Sequence, residues 1–229
     1  MTRILQKPIK KESKNINVSR YTSLHHSIDV SGNPPRKTAF GLFSIKRSYL
    51  NRFYKDFKKK YPLFVSKKAK ASTLRVNEIK KILEFLDSEN IHMRAIVLEN
   101  KDWMEFKDKY EHRKRYFNER MYGLIYSTIL KTCSYKNYLY AITLCKERYL
   151  FKPELSMQIC RDVSKSSGYD FSLSFGDRRT NIELRFADFI AGAALKADKK
   201  FLDSLSNFHL INLKIPVRYF LKIFNFYSK

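Results

Sequence analysis

Along this chain, short runs of alternating or continuous apolar residues give way repeatedly to stretches with a helical period. "LHHSIDVSG" (24–32) reads as a strand that stops at the breakers Gly32, Asn33, Pro34 and Pro35. "KTAFGLFSIK" (37–46) reads as a second strand, with Ala39, Gly41, Phe43 and Ile45 on one face and Thr38, Phe40, Leu42 and Ser44 on the other. Both faces are largely apolar, as in a central strand covered on two sides, and the intervening turn makes the pair a hairpin. Tyr49, Phe53 and Phe57 then recur at helical spacing inside the basic segment "YLNRFYKDFKKKYPLFVSKKAKAS". Val76, Ile79, Ile82, Leu83 and Leu86 form one stripe of a helix over roughly 72–89, with Ser72 as its N-cap. "IHMRAIVLEN" is a third strand, 101–131 one long helix with Phe117, Met121, Leu124, Ile125 and Thr128 facing inward, and "NYLYAITLC" a fourth strand. "PELSMQICRDVSKSS" is a short helix, "YDFSLSFG" a fifth strand, and a last helix opens near Asn181. Strands and helices that alternate in this way predict an α/β fold, a five-stranded sheet with helices packed on it.

Composition adds a partner to this picture. With 44% apolar and 15% aromatic residues in 229, the chain can bury a substantial core and is not disordered. It carries 46 Lys+Arg against 22 Asp+Glu, a net charge of +24. Residues 1–75 hold 19 basic and 3 acidic side chains, a surplus of 16. Self-repulsion on this scale costs stability unless an anionic polymer compensates it, which points to RNA or DNA. A general bias toward lysine would spread the excess evenly, and it is not even. The basic, aperiodic residues 1–22 read as a flexible arm, 23–207 as the folded domain, and 208–229, "FHLINLKIPVRYFLKIFNFYSK", as an apolar and basic C-terminal extension suited to a protein partner or to covering a sheet edge. Three cysteines, Cys133, Cys145 and Cys160, make an odd count without CxxC spacing, so neither a zinc site nor a disulfide framework is expected. No apolar leader opens the chain, and its longest uncharged apolar stretch is too short for a bilayer. A cytoplasmic protein without a membrane partner is the expectation. Residues 217–227 are too short and too evenly aromatic for a membrane-surface helix.

The chemistry turns on one carboxylate. In "IELRFADFIAGAALKA" (182–197) Asp188 is surrounded by apolar residues on every side of the helix. Such a helix is buried, and a buried carboxylate needs a partner. Asp29, near the end of the first strand, lies where α/β sheets place their ligands. Two carboxylates meeting there repel unless a cation separates them; Mg²⁺ or Mn²⁺ suits such oxygen ligands, and an ammonium from Lys68 or Lys70 is the alternative. Asp29 as a cap on the Ser31-Gly32 turn, and Asp188 paired with Arg185 or a lysine, are the plainer readings. His25 and His26 precede the strand, and a structural role suits them better than ligation. The cluster 111–120, "EHRKRYFNER", reads as a solvated face.

"IDVSG", "FSLSFGD" and "LRFADFIAGA", in this order and at these distances, resemble the DUF 3800 family of ribonuclease H-like proteins over residues 23 to 200. The resemblance implies a ribonuclease H-like mixed sheet and a metal-dependent nuclease. It also implies where acids belong, and this chain departs from that pattern. Asp29, Ser31 and Gly32 match the family's Asp-Glu-Ser-Gly motif, but Val30 stands at the Glu. Lys68 and Lys70 fall in the neighbourhood of its Glu-x-Lys motif, Lys68 at the acid. The fourth strand lacks an Asp, and Glu147 just past it is the nearest acid. Ala187, Asp188, Ala191 and Gly192 match the last motif, with Glu183 and Arg185 near the family's Gln. The implied catalytic set is therefore Asp29 and Asp188 as metal ligands, completed by Glu78 or Glu84, Glu147 or Asp177. Lys58, Lys59, Lys60, Lys67, Lys68, Lys70 and Arg75 would hold the nucleic-acid backbone. Two functions follow: a nucleic-acid-binding protein that cleaves phosphodiesters with Mg²⁺ or Mn²⁺, or a catalytically inactive RNA- or DNA-binding subunit of a larger complex. Tyr49, Phe53 and Phe57 would stack on bases in either case only if they are not core, and the core is the expectation.

Overall fold

A computed structural model describes residues 22–32, 37–65, 71–109, 116–133, 138–146, 150–165 and 171–211. The basic arm over 1–21, the lysines at 67, 68 and 70, Glu147 and most of the C-terminal extension fall outside these residues.

The described chain builds one mixed sheet. Strand β1 (Thr22–Gly32) pairs antiparallel with β2 (Thr38–Lys46), which pairs antiparallel with β3 (His92–Leu98). On the other side β1 runs parallel to β4 (Tyr138–Cys145), and β4 parallel to β5 (Phe171–Gly176). A sixth strand, β6 (Phe208–Ile211), lies parallel to β3, giving the order β5-β4-β1-β2-β3-β6. The five strands read from sequence are all present. Only β6 is additional, and its place on the sheet edge moves the fold past residue 207 into what reads as the extension. Gly32 explains the sharp end of β1: its φ is +97, and a Cβ there would sit 2.5 Å from the Lys37 carbonyl oxygen.

Two cores flank the sheet. On one face Leu24, Ile28, Val30, Phe40, Leu42, Ile96 and Leu98 pack under α5 (Phe117–Lys131) and α6 (Pro153–Lys165). On the other, Phe43, Ile45, Met93 and Ala95 pack under α1 (Arg47–Lys60), α2 (Pro62–Val65), α3 (Val76–Ser88) and α7 (Ile182–Lys196), with α8 (Lys199–Ser204) at the edge. Phe53 and Phe57 are fully buried there and pack, tilted or edge-on, against Phe43, Phe64 and Phe186 at centroid distances of 4.7 to 6.0 Å. Burial of each contributes about 2–3 kcal/mol, so these rings are core and not a platform for bases.

Three local readings are corrected. The helix expected over 101–131 is two described helices, α4 (Asn100–Lys109) and α5, the second preceded by Tyr116 with φ 62. A non-glycine residue in the left-handed region cannot continue a helix. Ser72 does not cap α3; it lies in a short 3-10 turn (Ala71–Thr73), and the cap is Arg75, whose backbone N–H donates to Glu78 Oε2 at 2.8 Å. Within the supposed solvated cluster, Glu119 and Arg120 are buried, and Glu119 Oε1 accepts the N–H groups of Phe151 and Lys152 at 2.8 and 3.1 Å.

His26 is also buried, on the α5 face of β1. Burial pushes its pKa from 6.5 down to about 3, with the nearby charges of Arg94, His92 and His25 acting in the same direction. The unfolded chain takes up this proton below pH 6.5 while the folded chain resists it down to pH 3. Stability from this group is complete above pH 6.5 and is lost as pH falls toward 3, on the order of 4 kcal/mol in all. Urea denaturation from pH 7 to pH 4 should show a steeper acid loss in the wild type than in His26→Leu; parallel curves for the two proteins would contradict this.

Candidate functional site

Alternation along β1 sends His25, Ser27 and Asp29 to the face under α7, opposite Leu24, His26 and Ile28. α7 itself begins where it does because Asn181 caps it: its side-chain oxygen accepts the N–H groups of Glu183 and Leu184 at 2.9 and 3.1 Å. The helix then presses onto the sheet at Gly41 of β2, where a Cβ would fall 2.3 Å from the Ala187 carbonyl oxygen and 2.4 Å from the Ala191 nitrogen. Asp29 is paired with Gly41 in the β1–β2 register. The missing side chain thus lets the Asp188 turn of α7 settle beside Asp29.

Among the described residues, the two carboxylates meet across the cation of Arg178. Its Nε lies 3.8 Å from Asp29 Oδ2 and its Nη1 lies 3.5 Å from Asp188 Oδ1. Asp29 is fully buried, while the Arg178 side chain stays 33% exposed. Asp29 Oδ1 also accepts the Val30 N–H at 2.7 Å. Arg178 sits in the turn joining β5 to α7, a turn tied down by the backbone bonds of Thr180 and Asn181 to the Asp177 carbonyl. The juxtaposition of Asp29 and Asp188 with a basic group beside both is what the sequence led us to expect; Arg178 is a group that reading did not name, while Lys68 and Lys70 lie outside the described residues. The signal for it was present in "GDRRT", which places two arginines between a strand end and the helix that carries Asp188.

The other acids are engaged elsewhere. Glu78 is exposed and caps α3. Glu84 is exposed too, beside Tyr61, whose hydroxyl pKa it helps burial to raise. Asp177 turns outward to Arg179, whose Nη2 and Nε bond its Oδ2 at 2.8 and 3.0 Å. Glu183 is the acid that sequence reasoning underused: it is buried against β1, with Ser27 Oγ donating to its Oε2 at 3.3 Å and His25 Nδ1 3.5 Å from its Oε1. Arg185 does not pair with Asp188; its Nη1 donates to the Val65 carbonyl at 2.9 Å. Along β4, the Ile28–Leu144 pair puts Cys145 one step on, the position beside Asp29 on the α7 face. A buried thiol stands there.

A divalent ion between Asp29 and Asp188 would need their oxygens about 2.1 Å from it, in the space that the guanidinium occupies. Among the described residues no three His, Cys, Asp or Glu side chains converge in a way that could hold a metal. The described residues therefore fit an internal cation better than Mg²⁺ or Mn²⁺. Of the candidate backbone-binding residues, Lys58, Lys59 and Arg75 are exposed. Lys60, also exposed, lies 4.6 Å over the Phe85 ring. Among the described residues no helix is long and apolar enough to cross a membrane.

This arrangement of strands and helices has counterparts among solved structures. Ribonuclease H2 from Pyrococcus horikoshii OT3 superposes with a TM-score of 0.53 at 12% identity, over 81% of this chain and 80% of that one. This is a ribonuclease H-like fold. Ribonuclease HII from Archaeoglobus fulgidus, in its complex with PCNA, gives 0.47 at 14% identity over 88% and 87%. A mutant protein of Bst-RNase HIII gives 0.47 at 12% over 82% of this chain and 56% of that one. No family model and no curated protein matches the sequence.

Proposed function

We propose that this chain is a nucleic-acid-binding protein, a divergent relative of the DUF 3800 family, whose ribonuclease H-like site is held by Arg178 and binds without cutting. One observation carries the reading: the guanidinium lies between Asp29 and Asp188, 3.8 and 3.5 Å from their oxygens, in the space a divalent ion would require. The absence of acids at Val30 and Cys145 supports it, because two carboxylates with no third acid converging on them among the described residues leave little to orient a metal. The net charge of +24 supplies affinity for a polyanion. Exposed Lys58, Lys59 and Arg75 contact phosphates, together with Lys67, Lys68 and Lys70. The apolar and basic residues 212–229 make the contact with a protein partner, and the whole serves as a subunit of a nucleoprotein assembly in the cytoplasm.

A hydrolytic reading is favoured by one fact, the one-third exposure of Arg178 on its turn. If substrate phosphates draw Arg178 out, Asp29 and Asp188 would hold Mg²⁺ or Mn²⁺, which would supply an activated water and charge stabilisation. Fluorescence anisotropy with RNA, DNA and hybrid oligonucleotides in EDTA separates the readings. Binding without metal that weakens steeply from roughly 50 to 200 mM salt is expected. Lys58→Ala/Lys59→Ala should lower the salt slope by about 2 without regard to sequence. Absence of metal-free affinity, or metal-dependent cleavage abolished by Asp29→Asn, would favour the hydrolytic alternative.

A further inference from the structure

The α5 face of the sheet carries a polar row that the carboxylate site does not use. His26 of β1 pairs with Ser44 of β2, and Ser44 with His92 of β3, so the three side chains stand side by side. Arg94, two residues along β3, is the diagonal neighbour of Ser44, a separation that a long side chain spans. His209 of β6 pairs with Arg94. Arg94 is only 6% exposed, and its Nη1 has no hydrogen-bond partner among the described residues; Ser44 is 1% exposed and its Oγ has none there either. A buried guanidinium without a counter-charge is among the most expensive arrangements in a protein. The nearby end of α5, where Cys133 senses the charge of Arg94, offers only the partial charge of a helix C-terminus.

Beside this row a cavity of about 410 Å³ opens, lined in part by Ser44, Lys46, Tyr49, Glu89, Asn90 and His92. Its volume suits a small ligand. The acid in this lining, Glu89, is engaged by the Tyr49 hydroxyl, which donates to Glu89 Oε2. His92, on the cavity wall, has its pKa lowered first by burial and then by the charges of Arg94, His209 and Lys46.

We infer that this cavity binds a phosphate group, with Ser44 and His92 as hydrogen-bond donors and Lys46 at the mouth, while Arg94, behind the lining and not part of it, adds positive charge from the sheet. The group is either free orthophosphate or the monoester of a nucleotide, and the two share this recognition. The cavity opens at the Leu24–Lys46 end of the β1–β2 pair, five residues along β1 from Asp29, so it does not depend on whether Asp29 and Asp188 hold a metal.

The test is a titration of the full chain with orthophosphate and with uridine 5′-monophosphate at fixed ionic strength, read by the imidazole resonances of His26 and His92. Saturable shifts at millimolar phosphate are expected, with the His92 pKa moving up as the anion binds. Ser44→Ala should weaken binding about tenfold, and Arg94→Met should abolish it. If Arg94→Met does not fold, Ser44→Ala alone decides. Tighter binding of the nucleotide assigns the monoester, and equal binding assigns free phosphate; either supports the site. No saturable shift in the wild type, or the same shift in Ser44→Ala, would overturn it and reduce the effect to general attraction by a basic protein.

Discussion

Gly41→Val is expected to lose more than about 3 kcal/mol of stability and to displace α7 from the sheet. The Cβ of any residue at 41 would fall 2.3 Å from the Ala187 carbonyl oxygen and 2.4 Å from the Ala191 nitrogen. Both neighbours are backbone atoms of a helix that cannot yield locally, so the whole of α7 must lift. Overpacking of ordinary side chains costs about 1–3 kcal/mol; here a backbone-to-backbone approach is broken and the Phe43, Phe57 and Phe186 cluster beneath α7 opens with it. Gly192→Ala is the control. Its Cβ would meet the methyl group of Ala71 at 2.7 Å, a side-chain atom on a three-residue 3-10 turn and not the backbone of a long helix, and a smaller loss is expected. Chemical denaturation compares the two; equal, small losses would show that α7 is not pinned at Gly41.

This contact shows why the fold was more legible than the site. Strand and helix positions are carried by local apolar periodicity, which is visible in "KTAFGLFSIK" and in the stripe Ile79, Ile82, Leu83, Leu86. Five strands follow from such patterns. β6 does not, because "FHLI" is four residues in a continuous apolar and basic tail, and only its pairing with β3 makes it a strand. The approach of Asp188 to Asp29 was legible because both acids sit in apolar contexts that require a partner. Arg178 was not, since its position depends on a turn whose geometry no periodicity encodes, and its neighbours Asp177 and Arg179 offer the same residue types one step either side. Glu78 looked like a spare acid for the site, but a Glu at the third helical position has a local use as a cap, and that use prevails. Lys67, Lys68 and Lys70 lie outside the described residues.

Arg178→Gln is expected to have the second large effect, and a conditional one. Removing one member of a buried charge constellation weakens the compensation of the others, which costs up to about 3–5 kcal/mol when the group is fully buried. Arg178 is one-third exposed, so solvent screens part of this and a loss nearer to about 2 kcal/mol follows. Asp29, with none of its surface exposed, then faces Asp188 without the guanidinium between them. Glutamine is shorter and neutral, so it leaves the space open as well as the charge. Millimolar Mn²⁺ should therefore restore much of the lost stability in Arg178→Gln, and should do nothing comparable for the wild type or for Arg178→Gln/Asp188→Asn. Thermal denaturation with and without Mn²⁺ reads all three. A variant that loses nothing would mean that the guanidinium is not the partner of the pair.

The most direct test of the claim that an arginine occupies the cation position is calorimetric titration of Mn²⁺ into the wild-type chain and into Arg178→Gln at low salt. No saturable heat in the wild type and a single saturable site in Arg178→Gln is the predicted result. Stoichiometric Mn²⁺ binding by the wild type that disappears in Asp29→Asn would contradict it, and would return the site to metal-dependent chemistry.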